Sequence, residues 1–96
     1  MATTHQVSID NMLFNPNSIT IAAGDTVEWT NNMGFAHTVT ADDGSFDSRD
    51  IEGGDTFSHT FDAAGTVPYH CTIHRRMKGT VVANPADTST KPDAGY

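Results

Sequence analysis

"SITIAAGDTVEWTN", Ser18 to Asn31, places Ile19 and Ile21, then Val27 and Trp29, on a period of two about the turn residues Gly24 and Asp25. Alternation of this kind marks half-buried strands, and the Gly-Asp pair breaks them into two, either a hairpin or strands of facing sheets. The same habit recurs along the chain. Val7 and Ile9 alternate in "HQVSID", and "HTVTA", "DTFSHTF" and "GTVPYH" are each bounded by Gly or Asp. "KGTVVA" supplies a last β-branched run before Asn84 and Pro85. Short strands with frequent turns and no amphipathic helix predict an all-β fold, an antiparallel Greek-key sandwich of seven to eight strands.

The chain has 96 residues, 36% of them hydrophobic and 18% charged, which suits one globular domain near the small end of the range. Residues 1–83 are expected to form that domain. From Asn84 the text "NPADTSTKPDAGY" is polar and aperiodic, so 84–96 is expected to be a flexible tail. No apolar run approaches eighteen residues, so no membrane span is expected. The segment after Met1 lacks the basic and apolar regions of a signal peptide. It is read as the start of a mature periplasmic or extracellular protein, with a cytoplasmic one as the alternative.

Twelve acidic residues against five basic ones give a formal charge of −7, which argues against nucleic acid or an anionic membrane as partner. The charges are clustered. Asp42, Asp43, Asp47, Asp50, Glu52 and Asp55 crowd one stretch that Phe46 and Ile51 would pin to the core, and Arg75, Arg76 and Lys78 crowd another. The acidic stretch reads first as a solvated loop.

The cysteine is single, so no internal disulfide explains it. It stands in "YHCTIHRRM", Tyr69 to Met77, where Cys71, His74 and Met77 follow one another at intervals of three. Such spacing would also put three side chains on one helix face. Pro68 just upstream and the β-branched residues around the motif favour a loop between strands instead. A thiolate suits Cu(I), zinc or iron-sulfur clusters, an imidazole suits zinc, copper and iron, and a thioether is a weak ligand suited to copper. Cysteine and two histidines in a plane, with a distant methionine, make a blue-copper site, and this needs one more histidine. His5 lies near a terminus, His70 would point away from the thiol, and His59 shares parity with Phe57 and Phe61 as a packed core residue would. His37, in the loop "NNMGFAHTV" with Gly34 to allow a sharp turn, is preferred.

"NNMGFAHTV" followed by "YHCTIHRRM" and "KGTVVA" resembles the cupredoxins, both plastocyanin-like and amicyanin-like, over nearly all of residues 5 to 83. The short Cys-x-x-His-x-x-Met loop is similar to that of amicyanins. The resemblance implies a single type 1 copper ion with His37, Cys71, His74 and Met77 as ligands, and the Ala36 carbonyl as a weak axial donor. It implies Asn32 and Thr38 as supports around the ligands. It further implies electron exit at His74 through a docking surface to which Met33, Phe35, Arg75 and Arg76 contribute. The implied function is electron transfer between redox proteins met transiently by a monomer, without enzymatic activity. Copper storage or delivery uses the same ligands and is the alternative; a fragment of a multicopper enzyme fits less well, because Thr72 stands where such enzymes place a second histidine beside the cysteine. The chain departs from the family where Ala36 and Thr38 flank His37 and where Arg75 replaces proline after His74. Two arginines beside the site oppose the higher charge of Cu(II), so they are expected to raise the reduction potential.

Overall fold

The computed structural model describes residues 2–86, and within them eight strands and no helix. These are β1 (Thr4–Asp10), β2 (Leu13–Asn15), β3 (Ser18–Ala22), β4 (Thr26–Asn31), β5 (Thr40–Ala41), β6 (Thr56–Thr60), β7 (Gly65–His70) and β8 (Lys78–Asn84). One sheet runs β2-β1-β4-β6 and the other β3-β8-β7-β5. The last strand includes Asn84, and most of the expected tail, residues 87–96, lies outside the described residues.

The sheets are mixed rather than purely antiparallel, since β1 pairs parallel with β4 and β3 parallel with β8. The physical reason is the connectivity. Every connection except β1–β2 and β7–β8 passes from one sheet to the other, and a strand that returns after such a crossing can lie parallel to an earlier one. Ser18 to Asn31 is therefore no hairpin: β3 and β4 belong to facing sheets, and Gly24, with φ of 96°, makes the corner.

Alternation is kept through this topology. Val27 and Trp29 on β4, Val7 and Ile9 on β1, and Val81 and Ala83 on β8 point inward. Trp29 is the centre of the core. Its ring meets Tyr69 edge-on at 5.3 Å and lies within 6.4 Å of Phe46, Phe57 and Phe61. Such aromatic pairs add to the stabilisation from burial alone. Gly79 lies directly beneath Tyr69, and a Cβ there would fall 2.3 Å from the ring, so glycine is what lets β8 pass under it. Burial pushes the Tyr69 hydroxyl up to about 12.

The acidic stretch folds as a loop in which three of its carboxylates have local partners. Asp47 accepts from the Thr40 hydroxyl and the Arg49 amide, Asp43 accepts from the Ser45 amide, and Asp42 pairs with His70. Phe46 and Ile51 anchor it in the core. His59 lies against Phe46 at 4.4 Å and Phe61 at 4.8 Å, a packed histidine whose burial lowers its pKa.

Asp25 ties the N-terminal strand to the β3–β4 corner. Its carboxylate takes the Thr3 amide, the Ala22 amide and a ring nitrogen of His5, at 2.9, 3.1 and 2.9 Å. The His5 contact first, then the two amides, hold its pKa down from the usual 3.8 to about 2. A depressed carboxyl contributes stability that is present above the unfolded pKa and lost as pH falls through the folded one. Thermal stability should therefore decline between about pH 4 and pH 2. Asp25→Asn should lose stability at neutral pH and show a shallower acid decline, measured by circular dichroism against pH.

Candidate metal centre

Two loops at one end of the sandwich build the site. The first follows β4 and carries His37; the second joins β7 to β8 and carries Cys71, His74 and Met77. Cys71 continues the inward parity of Tyr69, so the thiol points into the end of the core and is fully buried. The second loop then closes on itself. The Cys71 amide donates to the Met77 carbonyl at 3.0 Å, and the Met77 amide donates to the His74 carbonyl at 2.9 Å. This turn gathers three side chains spaced by three residues without any helix. Met77 is buried, and His74 is half-buried at the surface.

His37 is clamped by Ile51, which exchanges two backbone hydrogen bonds with it, at 3.1 and 2.7 Å. The Cys71 Sγ lies 3.8 Å from His37 Nδ1 and 3.9 Å from His74 Nδ1. One ligating atom from each of the three lies within 4.8 Å of the others, and no other such group of three occurs among the described residues. Nitrogen and sulfur donors held about 2.0–2.3 Å from a first-row ion in a trigonal plane would stand about 3.5–4 Å apart, so the sulfur–nitrogen spacings fit a single ion. Burial lowers the His37 pKa, with the nearby His74 adding to the effect, and this keeps the neutral imidazole that a metal requires.

Thr38 joins the loops. Its amide donates to Cys71 Sγ at 3.3 Å, and its hydroxyl accepts from the Thr72 amide at 2.8 Å. The backbone rather than the hydroxyl thus reaches the sulfur.

Two expectations change. Asn32 does not support the ligands: it is exposed, and its amide turns to the Ser8 hydroxyl. The neighbouring Asn31 does so. Fully buried, it donates from Nδ2 to the carbonyls of Phe35 and Ile51, both at 2.8 Å, and accepts the Met33 amide at 2.9 Å. Gly34, expected to permit a sharp turn, is not in the left-handed region, and a Cβ on it would meet nothing. The Asn31 side chain bends this loop. Gly53 is the glycine that the site needs, because a Cβ there would lie 2.5 Å from the Met33 carbonyl.

Of the other expected residues, Phe35 is exposed and lies 5.2 Å from the His37 ring and 5.6 Å from that of His74. Met33 is half-buried, its sulfur accepting the Met12 amide, and Arg75 and Arg76 are exposed beside His74. Ala36 is half-buried immediately before His37.

The donor set and its spacing are those of a copper site, and residues 1–84 match the family model of copper-binding proteins of the plastocyanin/azurin family. The chain belongs to that family. Plastocyanin of Scenedesmus fuscus is 39% identical over 83 residues, covering 73% of this chain and 85% of that protein. Amicyanin-alpha of Methylorubrum extorquens is 39% identical over 82 residues, covering 80% of this chain and 69% of that protein. Among solved structures, a Cu(I) form of an amicyanin variant superimposes with a TM-score of 0.79 at 30% identity, over 84% of this chain and 82% of that one. A purple cupredoxin from Nitrosopumilus maritimus gives 0.76 at 26% identity, over 83% and 99%. As a cupredoxin with this site the protein is a copper electron carrier and not an enzyme.

Proposed function

We propose that His37, Cys71 and His74 would hold the copper, with Met77 and the Ala36 carbonyl as weaker donors beside them. The observation that carries this reading is the convergence of the buried Cys71 thiol on two imidazole Nδ1 atoms at 3.8 and 3.9 Å. Copper, when bound, supplies a one-electron couple. The protein's part is to hold the donors still, since any ligand that moves adds to the barrier. Here the clamp of Ile51 on His37, the closed turn from Cys71 to Met77, and the Thr38 bonds between the loops hold them. The Thr38 amide also fixes the position of the sulfur by donating to it.

His74 is the half-buried ligand, and electrons leave and enter at its edge. The protein works as a monomer that meets its redox partners transiently, and it functions in the periplasm or outside the cell. No helix among the described residues is long and apolar enough to cross a membrane. The test is to add Cu(II) to metal-free protein and record the visible and paramagnetic resonance spectra. An intense thiolate-to-copper band with narrow copper hyperfine splitting is expected. Tight binding without that band would overturn the proposed ligand set.

A further inference from the structure

The face around His74 has a charge opposite to that of the molecule. The chain carries −7 overall, yet three of its five cationic residues, Arg75, Arg76 and Lys78, fall within the four positions that follow His74, from its loop into the start of β8. All three are exposed, and none has an ion-pair partner among the described residues. Arg75 borders two adjoining hollows. One is the apolar mouth it shares with Met12, His74, Arg76 and Met77; the other it shares with Asp42, His70 and Lys78. The cations therefore form a continuous band from the mouth to the end of the β7–β8 pair. The carboxylate in that band, Asp42, is already engaged by His70.

Beside the band the surface is apolar. Phe35 is 48% exposed and in ring contact with His74, Ile73 next to His74 is 47% exposed, and Met12 at the mouth is 36% exposed. A protein with a deficit of positive charge has placed most of it beside exposed apolar side chains, at the one ligand near solvent. Within a Debye length of about 8 Å at physiological ionic strength, a partner docking at His74 feels the cations beside it more than charges farther away on the molecule.

We infer that this face docks a redox protein whose electron-transferring edge lies in an apolar surface rimmed by carboxylates, with Arg75, Arg76 and Lys78 selecting that partner. The inference rests on His74 as the electron exit. It deepens that reading by fixing the sign of the partner's charge.

The copper-loaded protein and its Arg75→Gln/Arg76→Gln/Lys78→Gln variant, each first reduced to Cu(I), would be oxidised by ferricyanide, an anion, and by tris(phenanthroline)cobalt(III), a cation, at low and high salt. Neutralising the cations should slow the ferricyanide reaction about tenfold at low salt and speed the cobalt reaction, both differences shrinking as salt is added. A change in copper potential would move both rates in the same direction, so opposed changes identify steering. An acidic c-type cytochrome should likewise lose about tenfold against the variant, and a basic one should not. Equal rates for the two proteins with the anionic probes at low salt would overturn the inference, as would a faster reaction of the wild type with the basic cytochrome than with the acidic one. A concentration-dependent dimer that the variant lacks, seen by sedimentation, would assign the face to a second copy instead. Absence of the thiolate-to-copper band in the wild type is a separate failure. It would remove the copper site itself and this inference with it.

Discussion

Cys71→Ala should abolish the intense visible absorption and weaken Cu(II) binding by more than about a hundredfold, the upper end of what losing a mere outer-shell partner costs at a metal site. The thiolate is the one anionic ligand of the set, so no rearrangement of His37, His74 and Met77 can replace it. The fold should survive. Cys71 is fully buried but small, and the variant loses contacts and leaves the Thr38 amide without its sulfur acceptor. An orphaned buried amide costs about 1–3 kcal/mol. Cys71→Ser restores an acceptor near that amide and should recover part of the lost stability while remaining equally colourless. Urea denaturation of the two metal-free variants, beside copper titration, separates the roles of the sulfur. If either variant kept the band, Cys71 would not be the ligand.

Strand parity makes most of this fold legible, and part of the site as well. Val27 and Trp29 mark the inward face of β4, and the same count places Asn31 inward at the strand's end. Asn31 was therefore findable from the pattern that found the core. The sequence points to Asn32 as readily, because "NNMGF" offers two asparagines and does not say how far a strand runs before its loop begins. Parity also carries Tyr69 to Cys71, so the same count leads to the inward thiol. What alternation cannot carry is pairing. The parallel neighbours β1–β4 and β3–β8 follow from strands that change sheets, and nothing in "SITIAAGDTVEWTN" distinguishes such a corner from a hairpin. The clamp of Ile51 on His37 was equally out of reach, because it joins backbone atoms, and those are the same in every residue. Ile51 announced itself only as an apolar residue in an acidic loop. For Gly34 and Gly53 the sequence misled in a simple way: both are glycines in loops, and only coordinates show which one has a carbonyl against it.

Asn31→Ala should lower stability by about 3 kcal/mol, because three hydrogen bonds of a buried side chain vanish together and their backbone partners are left with no replacement in the protein. Against a total stability of about 5–15 kcal/mol for a domain, that is a large share, and the urea midpoint should fall by about 1–3 M. Asn31→Asp discriminates further. The carboxylate can still accept the Met33 amide, but it would face the Phe35 and Ile51 carbonyls with negative oxygen where Nδ2 now donates to both. Those two carbonyls belong to different loops, the one leading into His37 and the one that clamps it. A single amide group thus fixes the distance between them, and His37 inherits that distance. The copper-loaded Asn31 variants should accordingly show altered copper hyperfine splitting as well as lower stability. If the midpoint falls while the paramagnetic resonance spectrum stays that of the wild type, Asn31 stabilises the fold without setting the position of His37. The two bonds through Ile51 would then be sufficient to hold the ligand in place.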